Sequence, residues 1–169
     1  RQNQSKLLVS PEKPVSVSDF PEIATEAEGW DPSTVNQASR RSLKWRCKLG
    51  HTWMARVRDR ISKHTRCPYC SNSRALPGFN DLATTHPEIA AQAFGWNPGE
   101  YLPGSHHRGT WKCANGHTWD VSIKDRVSYK SGCPYCASRK LLVGFNDLQT
   151  KNPEIAKQAD GWDPRQIIS

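Results

Sequence analysis

All six cysteines of the chain fall into two matching arrays, each with one histidine: Cys47-x3-His51-x15-Cys67-x2-Cys70 and Cys113-x3-His117-x15-Cys133-x2-Cys136. Thiolates and a neutral imidazole are the ligands Zn²⁺ takes when it closes a tetrahedron, and short paired spacings put two ligands on each of two turns. Gly50 and Gly116, each just before the histidine, permit the tight turn a metal knuckle needs. Four protein ligands leave no open coordination position, so the spacing predicts two structural Zn²⁺ ions and no catalytic residue. A disulfide framework would leave an odd thiol in each array, or bridge one array to the other, and would give the histidine no purpose. Cys-Pro-Tyr-Cys also looks like a glutaredoxin active site, but that chemistry needs a surrounding βαβ pattern, which the sequence lacks. His64, His86, His106 and His107 have no counterpart one repeat away and read as surface or backbone-contacting side chains.

The arrays belong to a repeat of 66 residues. Residues 45–98 and 111–164 share 29 identities over 54 positions without a gap. Gly78-Phe79-Asn80-Asp81-Leu82 recurs as Gly144-Phe145-Asn146-Asp147-Leu148. A Pro-Glu-Ile-Ala piece followed by Gly-Trp occurs three times, from Pro21, Pro87 and Pro153. Proline at the first helical position and glycine beyond the last predict a helix of two turns over 87–93. Ile89 and Ala93 would share its face, with Trp96 folding back over them. The segments divide as an N-terminal tail (1–14), a partial repeat with a helical piece (15–39), and two zinc repeats with helical pieces (40–105 and 106–169). The opening on Arg1 and the third Gly-Trp-x-Pro, at 161–164 shortly before Ser169, are those expected of a fragment of a longer protein.

The chain has 169 residues, 36% hydrophobic, with 7 Trp and a net charge of +8. No apolar run approaches the roughly 18 residues of a membrane span. A single large core is excluded by the low apolar content, and a disordered tail by the tryptophans and cysteines. The tryptophans read as core, since small modules need large core side chains. Charge is segregated. Residues 40–74 hold 11 Lys and Arg against one acid, and 106–140 hold 7 against two, whereas 15–39 and 75–105 hold acids and no Lys or Arg. A basic field confined to the cysteine segments is an electrostatic footprint for phosphates. The candidate contacts are Arg40, Arg41, Lys44, Arg46, Arg56, Arg58, Arg60, Lys63, Arg66 and Arg74. In the second repeat they are Arg108, Lys112, Ser122, Lys124, Arg126, Lys130, Arg139 and Lys140.

Alternation after each histidine predicts strands with Trp53, Ala55 and Val57, or Trp119, Val121 and Ile123, facing inward. Arg56, Arg58, Ser122 and Lys124 would then face out, where base edges could be read. Arg60 and Arg126 stand in an Asp-Arg pair kept in both copies, which suits either a phosphate clamp or an ion pair inside the repeat. The residues leaving each Cys-x-x-Cys are expected to start a helix whose N-terminus attracts anions.

Trp-x-Cys-x-x-Gly-His-x-Trp, a basic strand, Cys-Pro-Tyr-Cys, Gly-Phe-Asn-Asp-Leu and Pro-Glu-Ile-Ala together resemble a bacterial and phage "probable zinc-ribbon" family of treble-clef-like units. Its members recur in tandem and are sometimes fused to nucleases of the very-short-patch-repair type. The resemblance covers residues 15–169 and implies Zn²⁺ at the eight ligands and a DNA-related role. The expected fold is therefore small α+β: tandem treble-clef or zinc-ribbon-like modules with short helical spacers. The expected function is duplex DNA binding, as the targeting part of a larger cytoplasmic, nucleoid-associated protein, without enzymatic activity. A protein-interaction module, an HNH-like nuclease and an RNA binder are the rival readings.

Overall fold

The computed structural model describes residues 15–169; the tail expected over 1–14 lies outside them. The chain divides into two compact units between Ser71 and Asn72. The expected small α+β architecture is what the structure shows: each unit is built on one antiparallel hairpin and several helices of a single turn or slightly more. No helix among the described residues is long and apolar enough to cross a membrane.

In the first unit α1 (Pro21–Ala24) is followed by β1 (Ser42–Arg46), β2 (Thr52–Arg56) and α2 (Val57–Ser62). The strands pair with Trp45 opposite Trp53, and the five residues between them, Cys47 to His51, form the turn. Gly50 takes a left-handed φ of 83° there, which L side chains rarely adopt. The α1 segment leads into a short third strand-like stretch: Glu28 N–H donates to Lys44 O (3.1 Å) and Arg46 N–H to Glu26 O (2.8 Å). The second unit repeats this with α4 (Pro87–Ala90), β3 (Arg108–Lys112), β4 (Thr118–Ser122) and α5 (Ile123–Ser128), and Lys112 N–H donates to Gln92 O (2.8 Å). The first two helical pieces thus each pack on the hairpin that follows.

Two expectations differ from the structure here. The two-turn helix over 87–93 is one turn, ending at Ala90, because Gln92 and Ala93 give their backbone to the edge of β3. The strands after the histidines stop at Arg56 and Ser122, and a helix begins at once. Ser122 caps α5, accepting from Asp125 N–H (3.1 Å) and donating to its carboxylate (2.7 Å). Arg58 and Lys124 therefore sit on helices, while Val57 and Ile123 remain in the core as expected.

Each core is a stack of tryptophans. Trp45 and Trp111 are completely buried; Trp30 meets Trp45 edge-on at 4.9 Å and Trp96 meets Trp111 at 5.0 Å. Every indole N–H of these four finds a carbonyl: Trp45 on Ala55, Trp30 on Lys44, Trp111 on Val121 and Trp96 on Thr110. That satisfies the polar handle that makes Trp costly to bury. Trp162, expected in the core with the others, is 49% exposed. It ends the third helical piece, which carries α6 (Leu148–Lys151) and α7 (Pro153–Ala156), and no hairpin packs on it among the described residues.

The helical pieces are anchored by buried aspartates. Asp81 accepts from Thr84 N–H (3.0 Å), the Thr84 hydroxyl (2.6 Å) and Gly78 N–H (2.7 Å), capping α3 (Leu82–Thr85). Desolvation opposes its ionisation, yet these donors prevail and hold its carboxyl below the usual range. A carboxylate with a depressed folded pKa stabilises above its unfolded value of about 4, and the contribution is lost as pH falls through the folded value. Asp81→Ala is expected to lower stability by about 1–2 kcal/mol at neutral pH. Urea titrations of the zinc-loaded chain near neutral pH, where the carboxylate is ionised, should show this gap to the parent in full. Gly109 has a different constraint. A Cβ there would lie 2.5 Å from the Trp96 ring. Gly109→Ala is expected to cost about 1–3 kcal/mol in the same assay, because a packed indole cannot yield without dragging the Trp111 contact with it.

Candidate metal centres and the basic faces around them

The fold brings each cysteine array together. Cys47 and His51 come from the β1–β2 turn, Cys67 and Cys70 from the knuckle after α2; their ligand atoms all lie within 4.8 Å of one another. Cys113, His117, Cys133 and Cys136 do the same in the second unit. With Zn–S about 2.3 Å and Zn–N about 2.0–2.1 Å, a tetrahedron has edges of roughly 3.8 Å between sulfurs and roughly 3.6 Å between sulfur and nitrogen. In the first site Cys47 Sγ lies 3.8 Å from Cys70 Sγ, and His51 Nδ1 lies 3.6, 3.8 and 3.3 Å from Cys47, Cys67 and Cys70. The second site gives 3.9 Å between Cys113 and Cys136, and 3.6, 3.7 and 3.3 Å from His117 Nδ1 to Cys113, Cys133 and Cys136. These are the edges of a Cys3His zinc cage, repeated twice.

The charge requirement fits as well. Desolvation works against ionisation of Cys47, but the backbone N–H groups of Leu49 and His51 overcome it and lower its pKa; His117 and Asn115 do the same for Cys113. Cys70 goes the other way, pushed up to about 12 by desolvation and then by the neighbouring Cys67 and Cys47 sulfurs. Three thiolates packed this closely need a cation among them, and Zn²⁺ leaves a net charge of −1 on each cage. The sites are structural, with every position filled by protein.

Around the cages lies a supporting shell. Tyr135 and Phe145 meet the His117 ring edge-on at 5.7 and 4.2 Å. Asn115 donates to Cys136 Sγ at 3.3 Å. Asn146 ties the knuckle to the next helical piece: its amide donates to Tyr135 O (3.0 Å) and Lys140 O (2.8 Å), and its Oδ1 accepts from Leu142 N–H (2.7 Å). The reason Gly-Phe-Asn-Asp-Leu recurs is thus visible in the second unit. Phe covers the ligand, Asn clamps the knuckle and Asp caps a helix. The sequence signalled these residues only by repeating them. The helix expected after each Cys-x-x-Cys is replaced by turns, with Asn72 and Ser138 at φ of 52° and 48°.

The basic candidates separate into two classes. On the outer face of the first hairpin Lys44, Arg46 and Arg56 are exposed, with Arg40 and Arg41 ahead of β1, Arg58 and Lys63 on α2, and Arg66 before the knuckle. Arg46 pairs with Glu28 (2.5 Å) and Lys63 with Asp59 (3.1 Å). In the second unit Arg74, Arg108, Lys112, Lys124, Lys130, Arg139 and Lys140 are exposed. Arg60, Arg126 and Ser122 do not join them. Arg60 is only 4% exposed and pairs with Glu26, its guanidinium over the Trp45 and Trp53 rings at 4.9 and 5.4 Å. Arg126 is 3% exposed, bonded to Gln92 Oε1 (2.8 Å) and placed over Trp111 and Trp119. Of the two readings open for these arginines, Arg60 makes the internal ion pair, with Glu26; Arg126 is buried in the equivalent place, but its partner is the neutral amide of Gln92. Ser122 is spent on the α5 cap.

A family described as a probable treble clef zinc finger domain matches residues 23–73 and 92–139, more than half of the chain. No curated protein matches it. Elemental analysis of the purified chain is expected to find two zinc ions. Cys70→Ser and Cys136→Ser should each reduce the count to one, since each cage lies within its own unit. Acidification should release both ions, because the thiols must be deprotonated to bind.

Proposed function

We propose, for a chain that belongs to the probable treble clef zinc finger family, that it is a DNA-binding module whose zinc cages hold basic hairpins against the phosphate backbone. The observation that supports this reading is the outer face of the first hairpin. Its outward residues are Ser42, Lys44 and Arg46 on β1 and Thr52, Met54 and Arg56 on β2, with no acid among them. Arg40 and Arg41 extend the same charge to the strand's start. A hairpin of this width fits a major groove, where a two-stranded ribbon can be admitted. Phosphate contacts would come from Arg40, Arg41, Lys44 and Arg66, and base-edge contacts from Arg56 and Arg58. The second hairpin carries Arg108 and Lys112, but Asp120 stands on its outer face, hydrogen-bonded by Thr110 (2.6 Å). The first unit is therefore the stronger binder and the second an auxiliary contact through Lys124, Arg139 and Lys140. Closed zinc coordination favours binding without cleavage; plasmid incubated with Mg²⁺ or Mn²⁺ should remain intact.

Fluorescence anisotropy on a random duplex tests the proposal. Log K should fall linearly with log[salt], by about 0.9 per phosphate contact. The double variant Arg40→Ala, Arg41→Ala should flatten the slope by about 2, with little change in zinc content. An affinity indifferent to salt would overturn the reading.

A further inference from the structure

Each unit carries a cleft on the same side of its buried arginine, and the two clefts differ in one decisive residue. In the first unit a cleft of about 460 Å³ is walled by Glu22, Glu26, Arg60, His64 and Arg66 beside the zinc cage. In the second a cleft of about 570 Å³ lies between α4 and the end of α5, walled by His86, Glu88, Gln92, Arg126 and Lys130. Glu26 and Gln92 occupy equivalent positions in the repeat. In the first unit the charge of the arginine is matched: one Nη donates to the Glu26 carboxylate and the other to Thr65 O. In the second the same cation, 97% buried, has the neutral amide of Gln92 and, among the described residues, no carboxylate partner and no acceptor for its Nε–H. The Nε of Arg60 is likewise unpartnered, but there the charge itself is matched.

A second feature points at the same place. Lys130, on the cleft wall, has φ of 46°, and its counterpart His64 has 49°. This is the left-handed position just past a helix end, where glycine is usual. Both units instead spend backbone strain on a basic side chain beside the buried arginine, the kind of outlier that accompanies a functional site. Burial presses the Arg126 charge with nothing to offset it, whereas Glu26 counters burial at Arg60. The one acid on the wall of the second cleft, Glu88, is exposed, and it leaves the lining positive with Arg126 and Lys130.

We propose that the cleft of the second unit is an oxyanion site, in which a phosphate group at the cleft wall bonds Lys130 and the guanidinium of Arg126, whose charge Gln92 leaves unmatched where Glu26 matches it in the first unit. Gln92 is the residue that opens the site, and Glu26 is the built-in occupant that closes its counterpart. The phosphate can belong to a free anion or to a nucleic-acid backbone; the recognition chemistry is the same, a charge-assisted hydrogen bond.

The zinc-loaded chain, titrated with inorganic phosphate at constant ionic strength, tests this by the arginine Nε–H signals in ¹H–¹⁵N NMR. Arg126 should shift saturably and Arg60 should not. Gln92→Glu should abolish the Arg126 response, and Glu26→Gln should make Arg60 respond. A linear, non-saturating drift at Arg126, or a saturable shift that survives Gln92→Glu, overturns the proposal. No DNA enters this titration, so it stands or fails apart from the DNA-binding reading. Duplex DNA then separates the two sources. A salt slope lowered by about 0.9 in Gln92→Glu assigns the site to a backbone phosphate, and an unchanged slope assigns it to a free phosphate.

Discussion

A unit with one two-stranded hairpin and helices of one turn has little apolar surface to bury, and an isolated hairpin is marginal in water. What closes each unit is the metal cage. It joins the turn of the hairpin to a knuckle some fifteen residues further along the chain, and Cys67 and Cys133 are themselves part of the apolar core. Zinc binding in small finger peptides is worth roughly 10–16 kcal/mol, comparable to the whole stability of an ordinary domain. Folding and metal loading are therefore one event here. The tryptophans, the capped turns and the repeated loop motif refine a geometry that the four ligands impose.

With the chain reversal set by metal, the core can accommodate a residue that an apolar core would reject. The guanidinium groups of Arg60 and Arg126 each lie over a pair of indole rings and reach the preceding helical piece. Each arginine joins hairpin to helical piece as well as plugging the core. Removing one partner of such a pair leaves a buried charge exposed to nothing, a far larger penalty than the pair's own worth. The Asp-Arg dipeptide that both copies keep is thus explained by the arginine's internal position.

Much of this was legible in the residues. The eight ligands and the inward tryptophans of the hairpins follow from spacing and alternation, because both are local rules of metal and strand geometry. The strand ends were not: Val57 and Ile123 continue an alternating pattern that fits strand and helix start equally well, and the Ser122 cap decides it in the second unit. The fate of Arg60 was also hidden, since its partner Glu26 stands 34 residues upstream in another segment. Trp162 misled for a related reason. Its local sequence copies Trp30 and Trp96, but burial is conferred by a hairpin, and that is a tertiary property.

The cages are asymmetric toward solvent. Cys67 and Cys133 are buried, whereas Cys70 and Cys136, the last ligand of each set, are exposed. An alkylating or oxidising reagent therefore meets one particular sulfur of each tetrahedron first. Because that sulfur also fixes the end of the knuckle, its chemical loss would not merely lower affinity for the ion. It would unfasten the loop that closes the unit, which makes the outermost thiolate the point from which oxidative damage dismantles the module.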